Sequence, residues 1–354
     1  MSQQLIHTGR SLVFVSSFLL TFFLASWVNS QGIAELAEKE KIKIIEGAKK
    51  EGQLVYYTGM NLDQATVFTQ EFVKKYPFIK PEIFRSSGEK VLTKYLTEAR
   101  AKTYKADVFQ ASVIQVFQLK EQGLLQRYVS PESNAYPEGF KDPDGYWNAF
   151  YLLPYVIGYN TNLISPREAP KSYEDLLNLK WKGKIGLESE EYQWFFHLLK
   201  IMGKEKGMDF MRRLATQDLQ MRHGHSLLTQ LVIAGEIPIC VVLYANDVEE
   251  KRTKGAPIDW VRFKGPTITA FNAISIPANP PHSNAAKLFV DFALSREGQQ
   301  ILQTKFYRLP ARPDASPGTP SIVEGLNLYP ARPEELIKNH KETVAQFKEI
   351  FRLP

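Results

Sequence analysis

Polar side chains gather directly behind short apolar runs in this chain. Tyr57 is followed by Thr58, Gly59 and Asn61, Phe84 by Ser86, Ser87 and Gly88, and Phe109 by Ser112. Gln64, Glu89 and Gln115 stand three residues after Asn61, Ser86 and Ser112. This is the capping-box pattern, in which a side-chain oxygen accepts from the third backbone N–H of a helix and an acid or amide reaches back. The second half repeats the arrangement with Ser189, with Gly224-His225-Ser226 and with Tyr244-Ala245-Asn246-Asp247. Hydroxyls, amides, one imidazole and one phenol beside free helix N–H groups suit the non-covalent capture of a polar or anionic molecule. Gly59 and Gly88 would let such a molecule approach the backbone closely. Any one loop is explained by capping alone. The set, gathered at one sheet edge, points to a binding cleft.

Other chemistries find less support. GxSxG, HExxH, P-loop and GxGxxG motifs are absent. Cys240 is the single cysteine and lies inside an apolar run, which excludes a disulfide framework and a CxxC site. His223-Gly224-His225 is a weak metal pair, because alternate residues of an extended segment point to opposite faces. Glu188, Glu190 and Glu191 either bind a cation or complement a helix N-terminus. Trp147, Tyr151 and Tyr155 either pack on a ligand or fill a hinge. Arg85 and Arg222 stand beside these loops and either add charge or face solvent.

The elements that must hold these residues alternate. Helices are expected over 33–51, 63–76, 89–101 and 112–122, with strands over 53–57, 81–85 and 106–110. A Pro/Gly-rich loop covers 128–145, and residues 147–160 form one long apolar strand. Alternation resumes with strands at 185–187, 219–221, 237–243, 258–263 and 274–277. Helices are expected at 192–202, 227–234, 247–254, 285–295, 298–305 and 334–351. Alternation of this kind gives a mostly parallel sheet. Two such units joined by extended crossings make two lobes and a cleft. Lobe 1 is read as 31–149 with 267–307, lobe 2 as 150–266, and 308–354 as a Pro-rich segment and helix packing on the lobes.

The 354 residues include 22 Phe and 16 Tyr, and 44% are hydrophobic, enough for a large core. The net charge of +6 is spread, with all-basic runs no longer than pairs such as Lys49-Lys50, so no nucleic-acid surface is expected. Residues 11–34 carry no charge and follow Arg10. Val28-Asn29-Ser30 offers a cleavage site, so residues 1–30 read as an export signal, with a retained anchor as the other reading.

Residues 44–59 (IIEGAKKEGQLVYYTG), 84–101 (FRSSGEKVLTKYLTEARA) and 106–112 (ADVFQAS) resemble the extracellular solute-binding proteins of bacterial ABC importers. The match continues through EQGLL, Gly158-Tyr159-Asn160-Thr161, WKGKIGLES, AGEIPI and FVDFALSREGQQIL. It spans roughly residues 44–313, and the ferric-iron-binding branch is the most similar. The resemblance implies an α/β, two-lobed type II periplasmic-binding fold with two crossover strands. It also implies a permease partner. It does not carry the iron ligands over. Where iron-binding members have a histidine after the first strand, this chain has Thr58-Gly59-Met60-Asn61. Where they have a glutamate after the third, it has Gln110-Ala111-Ser112. Their tyrosine pair is here Tyr244 followed by Ala245 and Asn246. Hard ferric iron favours anionic oxygen donors. Other members take organic anions, phosphorylated or phosphonate compounds and cationic vitamins.

The expectation is therefore a monomeric periplasmic binding protein that uses no cofactor or metal and catalyses nothing. It would hold a small polar solute, an anion being one candidate, with Thr58, Gly59, Asn61, Ser86, Ser87, Gly88 and Ser112 on one side. Ser189, His225, Ser226, Tyr244 and Asn246 would hold it on the other. The rivals are a ferric carrier using Tyr244 with His225 or a glutamate, an exported enzyme using His225 with Ser226 or Ser189, and a sensory receptor.

Overall fold

The computed structural model describes residues 35, 36, 38–262, 264–315 and 326–354. The export signal read at 1–30 lies outside these residues. Helix α1 covers 38–51. It is followed by β1 (Gln53–Thr58), α2 (Leu62–Lys75), β2 (Lys80–Arg85), α3 (Gly88–Arg100), β3 (Val108–Ser112) and α4 (Val113–Glu121). These strands are parallel, in the order β2-β1-β3. The phase of the apolar residues explains the stacking. Ala65, Phe68, Thr69 and Phe72 make the buried stripe of α2, and Val91, Leu92, Tyr95 and Glu98 that of α3.

After β4 (Leu125–Gln126) comes the 14-residue strand β5 (Trp147–Asn160), buried along its whole length. Then follow β6 (Ile185–Glu188), α5 (Tyr192–Met202), α6 (Lys204–Ala215), β7 (Gln220–Arg222) and α7 (His225–Ala234). Next are β8 (Ile239–Tyr244), α8 (Ala245–Thr253), β9 (Ile258–Trp260) and β10 (Pro266–Pro277). The chain closes with α9 (Ser283–Leu294), α10 (Arg296–Phe306), β11 (Leu309–Pro310), β12 (Asn327–Pro330), α11 (Pro333–Lys338) and α12 (His340–Phe351).

One continuous path runs β2-β1-β3-β10-β5-β8-β6-β7, with β4 and β12 added on β10 and β9 and β11 on β5. The early part of β5 pairs antiparallel with β10, and its late part pairs antiparallel with β8 and β9. The alternation read from sequence is present, and Trp147–Asn160 and Tyr192–Met202 begin and end as expected. Several expectations change. Residues 204–215, assigned to no element, form α6, with Gly207, Phe210, Met211 and Leu214 buried. The helix expected at 334–351 is two helices, because Asn339 (φ −103°, ψ 10°) leaves the helical region. The strand expected at 274–277 begins at Pro266.

Two glycines stand where a side chain would meet a close contact or a strained backbone. At the β5 irregularity between Val156 and Gly158, a Cβ on Gly158 would fall 2.5 Å from Leu243 Cδ1. Gly235 ends α7 in the left-handed region, at φ 80°. The tail beyond β11 touches both sides of the molecule. Strand β12 adds parallel to the start of β10. Helix α11 packs against α4, and α12 packs on α5 and α6, where Phe347 meets Tyr192 and Phe195 edge-on.

Candidate functional site

The register decides which loops face each other. Ser112, the last residue of β3, pairs with Asn272 of β10, and Asn272 pairs with Tyr151 of β5. Tyr244, the last residue of β8, pairs with Tyr155 of the same strand. Tyr151 and Tyr155 are four residues apart, about 13 Å along an extended chain. The carboxyl ends of the two parallel groups therefore open toward each other across the middle of β5. At such ends of open α/β sheets ligands bind.

On the first wall, much of the polar chemistry is turned inward. Thr58 is fully buried; its hydroxyl donates to Gln110 Oε1 and accepts from Met60 N at 2.9 Å. Gln110 Nε2 donates to Asn272 Oδ1 at 2.8 Å and to the Tyr151 hydroxyl at 3.5 Å. Thr58 and Gln110 thus tie the ends of β1 and β3 to β10 and β5, and the Thr58 hydroxyl has internal partners both as donor and as acceptor. Asn61 caps α2 by accepting from Asp63 N at 2.9 Å, and Ser112 caps α4 by accepting from Ile114 N at 3.3 Å. Ser86 is not the cap of α3. The N-cap is Ser87, which is exposed and makes no side-chain capping bond. Ser86 instead donates its backbone N–H to Thr58 O at 3.3 Å.

None of the three boxes closes. Gln64 accepts from Arg308, and Gln115 Nε2 donates to Glu89 Oε1 at 2.8 Å, linking the starts of α3 and α4. Space does not force glycine at 59, where a Cβ would lie 3.8 Å from Gly88 Cα, an ordinary contact. At Gly88 a Cβ would come within 2.8 Å of Gln115 Oε1. Arg85 donates to Met60 O and Arg222 to Met221 O, so each braces backbone.

The second wall is an aromatic and acidic cluster. The His225 ring lies 4.1 Å from that of Tyr244, and Tyr155 stacks near both, at 6.2 and 5.8 Å. His225 Nε2 meets Glu191 Oε2 at 2.9 Å. Tyr155 donates to Gln193 Oε1 at 3.2 Å. Glu188 accepts from Gly224 N, the cap of α7, at 3.0 Å, from Glu190 N at 2.6 Å, and meets His223 Nδ1 at 3.1 Å. The alternation argument for His223 and His225 holds, since the first is exposed on Glu188 and the second turns inward on Glu191. Glu188 complements a helix N-terminus, one of its two expected roles; Glu191 pairs with an imidazole, which was not foreseen.

Burial pushes the His225 pKa down, but Glu191 and then Glu188 more than offset this, and the net shift is upward. Burial, reinforced by Glu191, raises the phenols of Tyr155 and Tyr244 well above their usual value. The Tyr244 hydroxyl makes no hydrogen bond among the described residues, although the residue is only partly exposed. Asn246 is buried, with Oδ1 unpartnered. Ser226 is exposed on the first turn of α7. Ser189 is half-buried and donates its N–H to Arg222 O at 3.0 Å. Cys240 is buried in β8, and burial drives its thiol up to about 12, which removes it as a nucleophile. Sequence reasoning missed Arg308, which reaches Gln64 and Tyr151 from the end of α10, and the Gln110–Asn272 brace. No motif marks either.

Residues 105–327 match the family model for bacterial extracellular solute-binding proteins. A probable ABC transporter periplasmic-binding protein of Sinorhizobium fredii is 24% identical over 216 residues, 58% of this chain and 60% of that protein. Among solved structures, AfuA of Actinobacillus pleuropneumoniae, bound to fructose-6-phosphate, superposes with a TM-score of 0.71 and 23% identity, covering 86% of this chain and 99% of AfuA. Iron-bound HitA of Pseudomonas aeruginosa gives 0.71 and 19%, covering 84% and 99%. At these identities the likeness fixes the fold, a two-lobed periplasmic-binding architecture.

Proposed function

The chain belongs to the bacterial extracellular solute-binding proteins, and from that premise we propose that it captures one small polar solute between its two halves and passes it to a membrane permease, catalysing no reaction. The observation that supports this reading is the register across β5, where β3 ends at Ser112 and β8 ends at Tyr244 on either side of the strand's middle. The lobes are residues 31–149 with 267–307 and residues 150–266. Residues 1–30 direct export, and the mature chain works in the periplasm as a monomer. Ser112, Asn61 and Ser87 meet the solute from the first side, and Tyr244, His225, Ser226 and Asn246 from the second. Thr58 acts through Gln110 and Asn272 rather than by touching the solute.

A ligand gripped by both sides favours the closed form by as much as it prefers that form. Small-angle scattering of the mature protein should show a smaller radius of gyration with the right solute than without it. A protein whose dimensions and melting point ignore every polar solute offered would end this reading.

One observation favours a second reading. Tyr155, Tyr244, His225 and Glu191 bring two phenols, an imidazole and a carboxylate together, and such donors suit ferric ion as cargo. Against it, His225 Nε2 faces Glu191 and its Nδ1 is buried. Burial also raises both phenols, so ferric ion would have to displace their protons to bind. Adding ferric salt with citrate decides: a visible tyrosinate charge-transfer band supports iron, and a colourless protein rejects it.

A further inference from the structure

Arg308 follows Tyr307, which ends α10 in the left-handed region at φ 54°. A tyrosine is strained there, and such strain persists only where the surrounding structure imposes it. The turn swings the chain onto β11, whose Leu309 and Pro310 pair with Leu152 and Tyr151 of the crossover strand. The guanidinium is thereby laid 4.8 Å from the centre of the Tyr151 ring, while Nε and Nη2 donate to Gln64 Oε1 at 3.3 and 3.2 Å.

These contacts fix the group without neutralising it, since Gln64 and Tyr151 carry no charge. Arg308 is half-buried, and among the described residues it takes part in no ion pair. Arg312, four residues on and also withdrawn from water, is held by Glu132 and Asp314. The carboxylates of the second wall, Glu188 and Glu191, already serve His223, His225 and backbone N–H groups. Burial and the glutamates raise the Tyr244 phenol, and the Arg308 charge opposes them. A guanidinium partly removed from water, with donors left over and no counter-ion, is completed by a planar or tetrahedral oxyanion.

We propose that Arg308 selects the solute by charge, serving as counter-ion to a carboxylate, phosphate or phosphonate held in the gap between Tyr151 and Tyr244. This rests on the cleft reading above and narrows it to a solute class.

The test uses the mature protein, R308Q, R308K and Tyr244→Ala. Inorganic phosphate, citrate and fructose 6-phosphate are the anionic probes, with fructose and choline as neutral and cationic controls. At least one anion should raise the wild-type melting temperature, with an affinity that falls as salt rises. That affinity should drop about 30- to 100-fold in R308Q and recover in part in R308K. Without any probe, R308Q should melt at or above the wild-type temperature, because an uncompensated charge has been removed. Undiminished anion binding by R308Q overturns the assignment. So does a preference for fructose or choline, or an unliganded R308Q that melts far below wild type. If binding is lost in Tyr244→Ala and kept in R308Q, the cleft stands and Arg308 falls. A wild type that answers none of the five probes removes the cleft reading itself, and Arg308 with it.

Discussion

His225 couples the stability of the fold to pH. Its folded pKa is raised, through Glu191 and Glu188 against the opposing effect of burial. The stability that the pair contributes is therefore complete below the unfolded value of about 6.5 and is lost as pH rises through the higher folded value. Denaturant midpoints of the wild type should fall between pH 6 and pH 9, and His225→Gln should flatten that fall. Thr58 gives a contrasting prediction. Thr58→Val leaves Gln110 Oε1 and Met60 N short of a partner in a fully buried site, which should cost about 1–3 kcal/mol in chemical denaturation. Once folded, the variant should still bind solute, because its side chain faces the interior. The position of Thr58 behind an apolar run was legible in the sequence; the direction of its hydroxyl was not, since the last residue of a strand can turn either way. Tyr244 and His225 were readable for the same positional reason. The His225–Glu191 pair was not, because it joins two loops across the sheet. Arg308 was hidden because it follows a helix, and no pattern marks a left-handed tyrosine.

At the scale of elements, the long strand β5 organises everything else. Its unbroken apolar run, buried on both faces, made it readable to the residue. Its partners change between Pro154 and Tyr155, from β10 to β8, and Gly158 sits at the irregularity within the β8 pairing. Gly158→Ala drives a methyl against Leu243 and should destabilise the protein by about 1–3 kcal/mol. The double variant with Leu243→Ala should recover part of that loss in denaturation midpoints. Elements escaped the sequence reading for physical reasons. Strands β4 and β11 have two residues each, too short for any period to register. Helix α6 has a proper buried stripe, but Gly203 just before it and Gly207 within it read as loop. Asn339 splits the last helix although the apolar spacing runs on through it.

For the whole molecule, the two halves are held by more than the crossover strands. The tail lays β12 on β10, α11 on α4 and α12 on α5 and α6. Phe347 is the anchor, fully buried between Tyr192, Phe195 and Phe351. Phe347→Ala should cost about 3–5 kcal/mol, read as a lower denaturation midpoint with increased binding of a dye that reports exposed apolar surface. The position of this tail also bears on when the protein can finish folding. A ribosome releases residues in order, and α5 emerges long before the helix that covers it. Its aromatic face stays uncovered until residues 340–351 have also been made, so the second half cannot finish packing before they follow.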